Sequence, residues 1–160
     1  EVLNCGAFTL RAVHTPGHTS NHLCYLLEDE RLLFTGDHVM QGSTVVISPP
    51  DGSMSAYLKS LESLLDLEIT RIAPGHGHPI DKPYDEARRL IAHRLMREQK
   101  VLQAFAAKNP ATLDELVSVV YSDTPLRLHQ AARRSLHAHL LKLENEGRVM
   151  RRDESWTPQS

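Results

Sequence analysis

His14-Thr15-Pro16-Gly17-His18 decides how the rest of this chain is read. Proline and glycine here rule out a helix, so His18 sits on a tight turn with its ring free to point at a ligand. Two later turns have the same character: Phe34-Thr35-Gly36-Asp37 and Pro74-Gly75-His76-Gly77. Each follows an apolar, strand-like run. An imidazole, a carboxylate and a second imidazole are therefore expected at one rim of a sheet, which is how a metal site is usually assembled. A single turn histidine, or a hydrated turn aspartate, would mean little; the ordered triple makes His18, Asp37 and His76 the candidate metal ligands. Gly75 and Gly77 around His76 permit a close backbone approach that an ordinary turn histidine does not need. His14, His22, His38 and His78 lie near these ligands and read as supporting or structural side chains.

Working outward, Phe8 to Val13 alternates as a strand. His22 to Leu27 and Arg31 to Thr35 flank the polar Glu28-Asp29-Glu30 as a hairpin. After Asp37, a glycine- and proline-containing segment runs to Pro49-Pro50-Asp51-Gly52 and reads as a loop with a short strand at Val45-Val46-Ile47. Ser53 is placed to cap a helix whose apolar stripe is Met54, Tyr57, Leu58, Leu61, Leu64 and Leu65. A short strand at Thr70 to Ala73 precedes the third turn, and Pro83 opens a long helix reaching about Lys108. Asn109-Pro110 breaks the pattern and marks the expected domain boundary. Beyond it, Thr112 and Glu115 have capping-box spacing for a helix ending near Tyr121, and Thr124-Pro125 starts another. A third helix spans about Arg133 to Glu146, closed by Gly147, leaving Arg148 to Met150 and Trp156 for a small hairpin. Three short helices and a hairpin describe a winged helix.

With 41% apolar residues and a net charge of −2 over 160 residues, the composition is that of a globular protein and excludes disorder. No apolar run approaches the ~20 residues of a membrane-spanning helix. Cys5 and Cys24 stand in separate strand-like runs with no CxxC partner, so two buried, reduced thiols and a cytoplasmic setting are expected. Charge is uneven: Pro125 to Arg152 holds seven Lys/Arg against two Glu, leaving a net −7 on the remainder. A basic module appended to an acidic one is one reading of this imbalance, and a solvated helix face is the commoner cause of such an excess.

The stretches His14-Thr15-Pro16-Gly17-His18-Thr19, Leu33-Phe34-Thr35-Gly36-Asp37 and Ala73-Pro74-Gly75-His76-Gly77 resemble the third, fourth and fifth motifs of the metallo-β-lactamase superfamily. The long helix with His93-Arg94 and Arg97-Glu98-Gln99, and the winged-helix-like tail, resemble its lactamase-β-2-like branch. The resemblance implies an α+β fold: half of an αββα sandwich over residues 1–108, then a small winged-helix-like domain over 109–160. It also implies a hydrolase with two zinc ions, in which His18 binds one metal, Asp37 bridges both and His76 binds the other. In such a site the paired cations acidify a shared water toward a pKa of about 7 and stabilise developing oxyanion charge.

The family's remaining ligands come from an upstream His-x-His-x-Asp-His turn, which these residues lack. His137-Ala138-His139 has the first spacing but falls in a helix, where i and i+2 face different sides. The chain, opening at Glu1 partway into strand-like sequence, reads as the C-terminal part of a zinc-dependent hydrolase of ester, thioester or phosphodiester substrates. On its own it is expected to bind zinc weakly or not at all and to lack activity. Half a sandwich exposes an apolar sheet, so the missing N-terminal half or self-association is the expected partner. The alternative reading is a nucleic-acid-binding winged-helix module using Arg133, Arg134 and Lys142, or an endoribonuclease that joins both activities on RNA.

Overall fold

A computed structural model describes residues 1–159. Its first sheet has five strands: β1 (Val2–Asn4), β2 (Thr9–His14), β3 (Leu23–Leu27), β4 (Leu32–Gly36) and β5 (Arg71–Pro74). They lie in chain order, antiparallel through β4, with β5 parallel to β4. The crossover that makes the last pair parallel carries α1 (Met54–Ser63), as a parallel connection requires. After β5 comes α2 (Pro83–Ala104), the longest element. Both helices cover one face of the sheet. Cys24, Leu26, Leu33 and Ile72 from the strands meet Met54, Tyr57, Leu58, Leu61, Leu64 and Leu90 from the helical layer and its extension.

The opposite face is uncovered. Alternation along β3 and β4 sends Leu23, Tyr25 and Phe34 outward, and all three are exposed. Tyr25 and Phe34 sit directly opposite each other in the ladder, continued by Ala12 on β2 and Ala73 on β5. An apolar cross-strand row of this kind normally faces a second layer.

The expected α1 stripe is the buried one, and Ser53 caps the helix by accepting from the Ala56 amide at 3.3 Å. The helix is shorter than its stripe, tightening into a 3-10 turn at Leu64–Asp66. The short strand expected at Val45-Val46-Ile47 does not form. Its backbone groups are satisfied by side chains instead of a ladder: Val45 O accepts from Arg94, Val46 O bonds the His18 ring, and the Ile47 amide donates to Ser135 Oγ. Of the two thiols expected to be buried, only Cys24 is. Cys5 is exposed in the turn after edge strand β1.

The second cluster gathers α3 (Leu113–Val120), α4 (His129–Asn145) and a three-stranded sheet of β6 (Ala111–Thr112), β7 (Val149–Arg152) and β8 (Ser155–Pro158), ordered β6-β8-β7. Thr112 and Glu115 make the anticipated capping box at the start of α3. In place of a separate helix from Thr124-Pro125, a 3-10 turn at Leu126–Leu128 runs into α4, which begins four residues before the anticipated Arg133. The end of α2 joins this core through Val101, Ala104 and Phe105, beside Leu116, Leu136, Leu140 and Trp156. Among the described residues no helix is long and apolar enough to cross a membrane.

Candidate metal centre

His18, Asp37 and His76 reach one place from three different turns. The 15–18 turn is held from several sides: Ser60 Oγ donates to Pro16 O at 2.7 Å, the Ser53 amide to Gly17 O at 2.8 Å, and the Ser20 amide to Asp51 at 3.2 Å. Gly17 has φ +146°, and a Cβ there would lie 2.3 Å from the Tyr57 Cα, so only glycine lets the turn seat on α1. The other two turns are tied by main chain: the Gly75 amide donates to Gly36 O at 2.8 Å, an approach that a Cβ on Gly75 would block. Asp37 and His76, far apart in sequence, are thereby held side by side.

His76 Nε2 stands 3.3 Å from one Asp37 oxygen and His18 Nε2 stands 3.9 Å from the other. His18 is oriented from behind, its Nδ1 lying 2.8 Å from Val46 O. A carbonyl only accepts, so Nδ1 carries the proton, and Nε2 is the ring nitrogen that faces the carboxylate. A ring nitrogen and a carboxylate facing each other call for a cation or proton between them. A back-side carbonyl on a ligating imidazole is also the usual way a metal ligand is oriented.

Tetrahedral zinc with bonds of roughly 2.0–2.2 Å has donor–donor edges of about 3.3 Å. The His76–Asp37 edge matches; the His18–Asp37 edge is wider. Among the described residues no three His, Cys, Asp or Glu side chains are close enough together to hold an ion as they stand. The donor types and their orientation suit zinc, but the set is open, with the His76 side chain 73% exposed.

The surrounding histidines divide by environment. His22 bonds Thr15 Oγ1 at 2.9 Å, and its pKa is lowered by burial and by the neighbouring His18. His38 is fully buried edge-on to Tyr57, its pKa pushed down to about 3 chiefly by burial, so it is neutral at pH 7. His14 bonds Ser20 O at 3.0 Å and His78 is exposed. His139 is buried within α4 while His137 sits near Trp156, so this pair does diverge as i and i+2 spacing requires.

Residues 3–76 match the model of the metallo-beta-lactamase superfamily, and residues 112–156 match the beta-lactamase associated winged helix domain. The chain belongs to the metallo-beta-lactamase superfamily. Among its relatives, the beta-lactamase-like protein 2 homologue of Drosophila melanogaster is 41% identical over 142 residues, covering 88% of this chain and 47% of that protein. The Caenorhabditis elegans homologue of the same name is 36% identical, covering 93% and 49%. A metallo-beta-lactamase family protein from Thermus thermophilus superposes with a TM-score of 0.86 at 27% identity, over 99% of this chain and 52% of that structure. The chain therefore spans about half the length of the curated relatives it matches. As a member of this superfamily it carries the sheet-and-helix half of the fold and the winged helix.

Sequence reasoning brought the three ligand candidates together but missed what positions them. Val46 O behind His18 and the Gly36–Gly75 bond have no signature in residue type, because both are main-chain contacts between distant segments.

Proposed function

We propose that this chain is the C-terminal part of a zinc-dependent hydrolase in which His18, Asp37 and His76 are metal ligands completed by side chains from the remainder of the protein. The observation that carries this is the approach of both imidazole Nε2 atoms to one carboxylate, with the His18 ring held by a carbonyl at its back. Zinc bound there would supply Lewis acidity and a water acidified toward pKa ~7, suited to ester, thioester or phosphodiester cleavage. The protein's own contribution is orientation: the clamped 15–18 turn and the Gly36–Gly75 tie hold the donors at the rim.

The uncovered Tyr25–Phe34 face supports the second part of the proposal. The missing half of the sandwich covers it in the whole protein, and self-association covers it in the isolated chain. The unpaired Cys5 and Cys24 are compatible with the cytoplasmic setting included in this reading.

Calorimetric titration with zinc tests the centre. The chain alone is expected to bind weakly or not at all. Restoring the upstream residues is expected to give tight uptake that His18→Ala and Asp37→Ala each reduce. Two tight zinc ions on the isolated chain, or tight uptake by the extended protein that ignores both substitutions, would overturn it.

Ion pairing bears on the nucleic-acid alternative. Arg133 is paired with Asp114, while Lys142 and Arg148 both engage Glu98 and Glu146. Of the three residues named for nucleic-acid contact, Arg133 and Lys142 are thus already matched by acids within the fold, which lowers their availability for phosphate contacts.

A further inference from the structure

Away from the candidate metal centre, a cleft of about 330 Å³ opens between the loop after Asp37, α2 and the start of α4. Its walls include the cationic side chains Arg94 and Arg97, His93, and the hydroxyls of Thr44, Tyr121 and Ser135; no acidic residue lines it. Arg94 is 2% exposed, Arg97 and Tyr121 each 7%. Arg94 Nε, Arg97 Nε and the Tyr121 hydroxyl are all buried without a hydrogen-bond partner.

The two guanidiniums differ in their charge balance. Arg97 lies over the Tyr121 ring at 4.6 Å and bonds Asp123 at 2.7 Å, so its charge is met. Arg94 has no such counter-charge: it bonds the Val45 carbonyl, and its guanidinium carbon lies 5.2 Å from the Tyr57 ring. It makes no ion pair with any described residue. A buried cation without a counter-charge is costly and is normally paired with an acid or an anionic ligand. The surroundings feel the same positive field: the His93 pKa is lowered by burial and then by Arg94 and Arg97.

We propose that this cleft binds a phosphate monoester with a small organic body, the phosphate supplying the counter-charge that Arg94 lacks and the body lying along the Tyr121 and Leu128 side. Guanidinium groups suit tetrahedral oxyanions because their planar forks match two oxygens at once, and nearby hydroxyls satisfy the rest. The volume is that of a small-molecule site. This assignment does not rest on the metal reading: His18, Asp37 and His76 do not line the cleft. A structural clip holding the 45–47 segment would account for the Val45 contact but not for a cleft devoid of acids above it.

Titration of the full chain with inorganic phosphate, phenyl phosphate and phenol, each with EDTA present to remove metal, tests the proposal. Either phosphate compound is expected to saturate while phenol does not, and Arg94→Met should weaken binding about tenfold or more. Should Arg94→Met fail to fold, Ala131→Asp places a carboxylate at the cleft wall without touching the buried guanidinium, and a similar loss is expected. Absence of saturation by both phosphate compounds, equal binding of phenol, or affinity indifferent to both cleft substitutions would overturn the assignment; failure of zinc binding would not.

Discussion

Individual side chains carry the sharpest consequences. Gly17→Ala should destabilise the chain by about 2–5 kcal/mol, because a methyl group there meets α1 backbone and the glycine holds a positive φ. Chemical denaturation checks this, and an unchanged midpoint would refute the seating of the 15–18 turn on α1. His139 supplies a pH prediction. Its pKa is pushed down to about 3 by burial and by the charges of Arg94 and Lys142, with His93 and Arg97 adding to the field. The folded value lies below the ordinary 6.5, so the unfolded chain takes up a proton the native state refuses. Stability from this group is full above pH 6.5 and lost as pH falls toward 3, by up to about 1.4 kcal/mol per unit. The stability of the native protein relative to His139→Leu, followed by denaturation between pH 7 and 4, should fall as the pH drops. A constant difference would count against a neutral buried imidazole.

At the level of elements, the ion-pair cluster joining α2 to α4 is the most exposed to test. Glu98 has a side chain only 6% exposed and receives Lys142 at 2.6 Å and Arg148 at 2.8 Å. Removing its charge leaves Lys142, 11% exposed, with only the more solvated Glu146. Glu98→Gln is therefore expected to cost about 2–4 kcal/mol, less than a fully orphaned buried charge because Glu146 remains. A loss below about 0.5 kcal/mol, read by thermal unfolding, would mean that water reaches the cluster. Helices with local signals were legible in advance: the Ser53 cap, the Thr112–Glu115 box and the α1 stripe are all where residue spacing put them. Elements defined by remote partners were not. Val45–Ile47 has strand-forming residues, yet Arg94, His18 and Ser135 take its backbone groups.

For the molecule as a whole, the uncovered sheet governs behaviour in solution. The isolated chain should sediment above its 18.0 kDa monomer mass, and Phe34→Lys with Tyr25→Lys should return it to monomer without loss of helix content. A clean monomer before substitution would argue that the apolar face needs no cover. Residue pattern by itself determined the three glycine-bounded turns, the strand-and-helix alternation and the winged-helix tail, because each is written in local spacing and backbone preference. Tertiary structure alone decided that His18 and His76 share one carboxylate, that main-chain atoms hold them there, and that Arg94 is buried without an acid. Those facts depend on which distant segments meet, and a list of neighbours along the chain does not contain the distances between them.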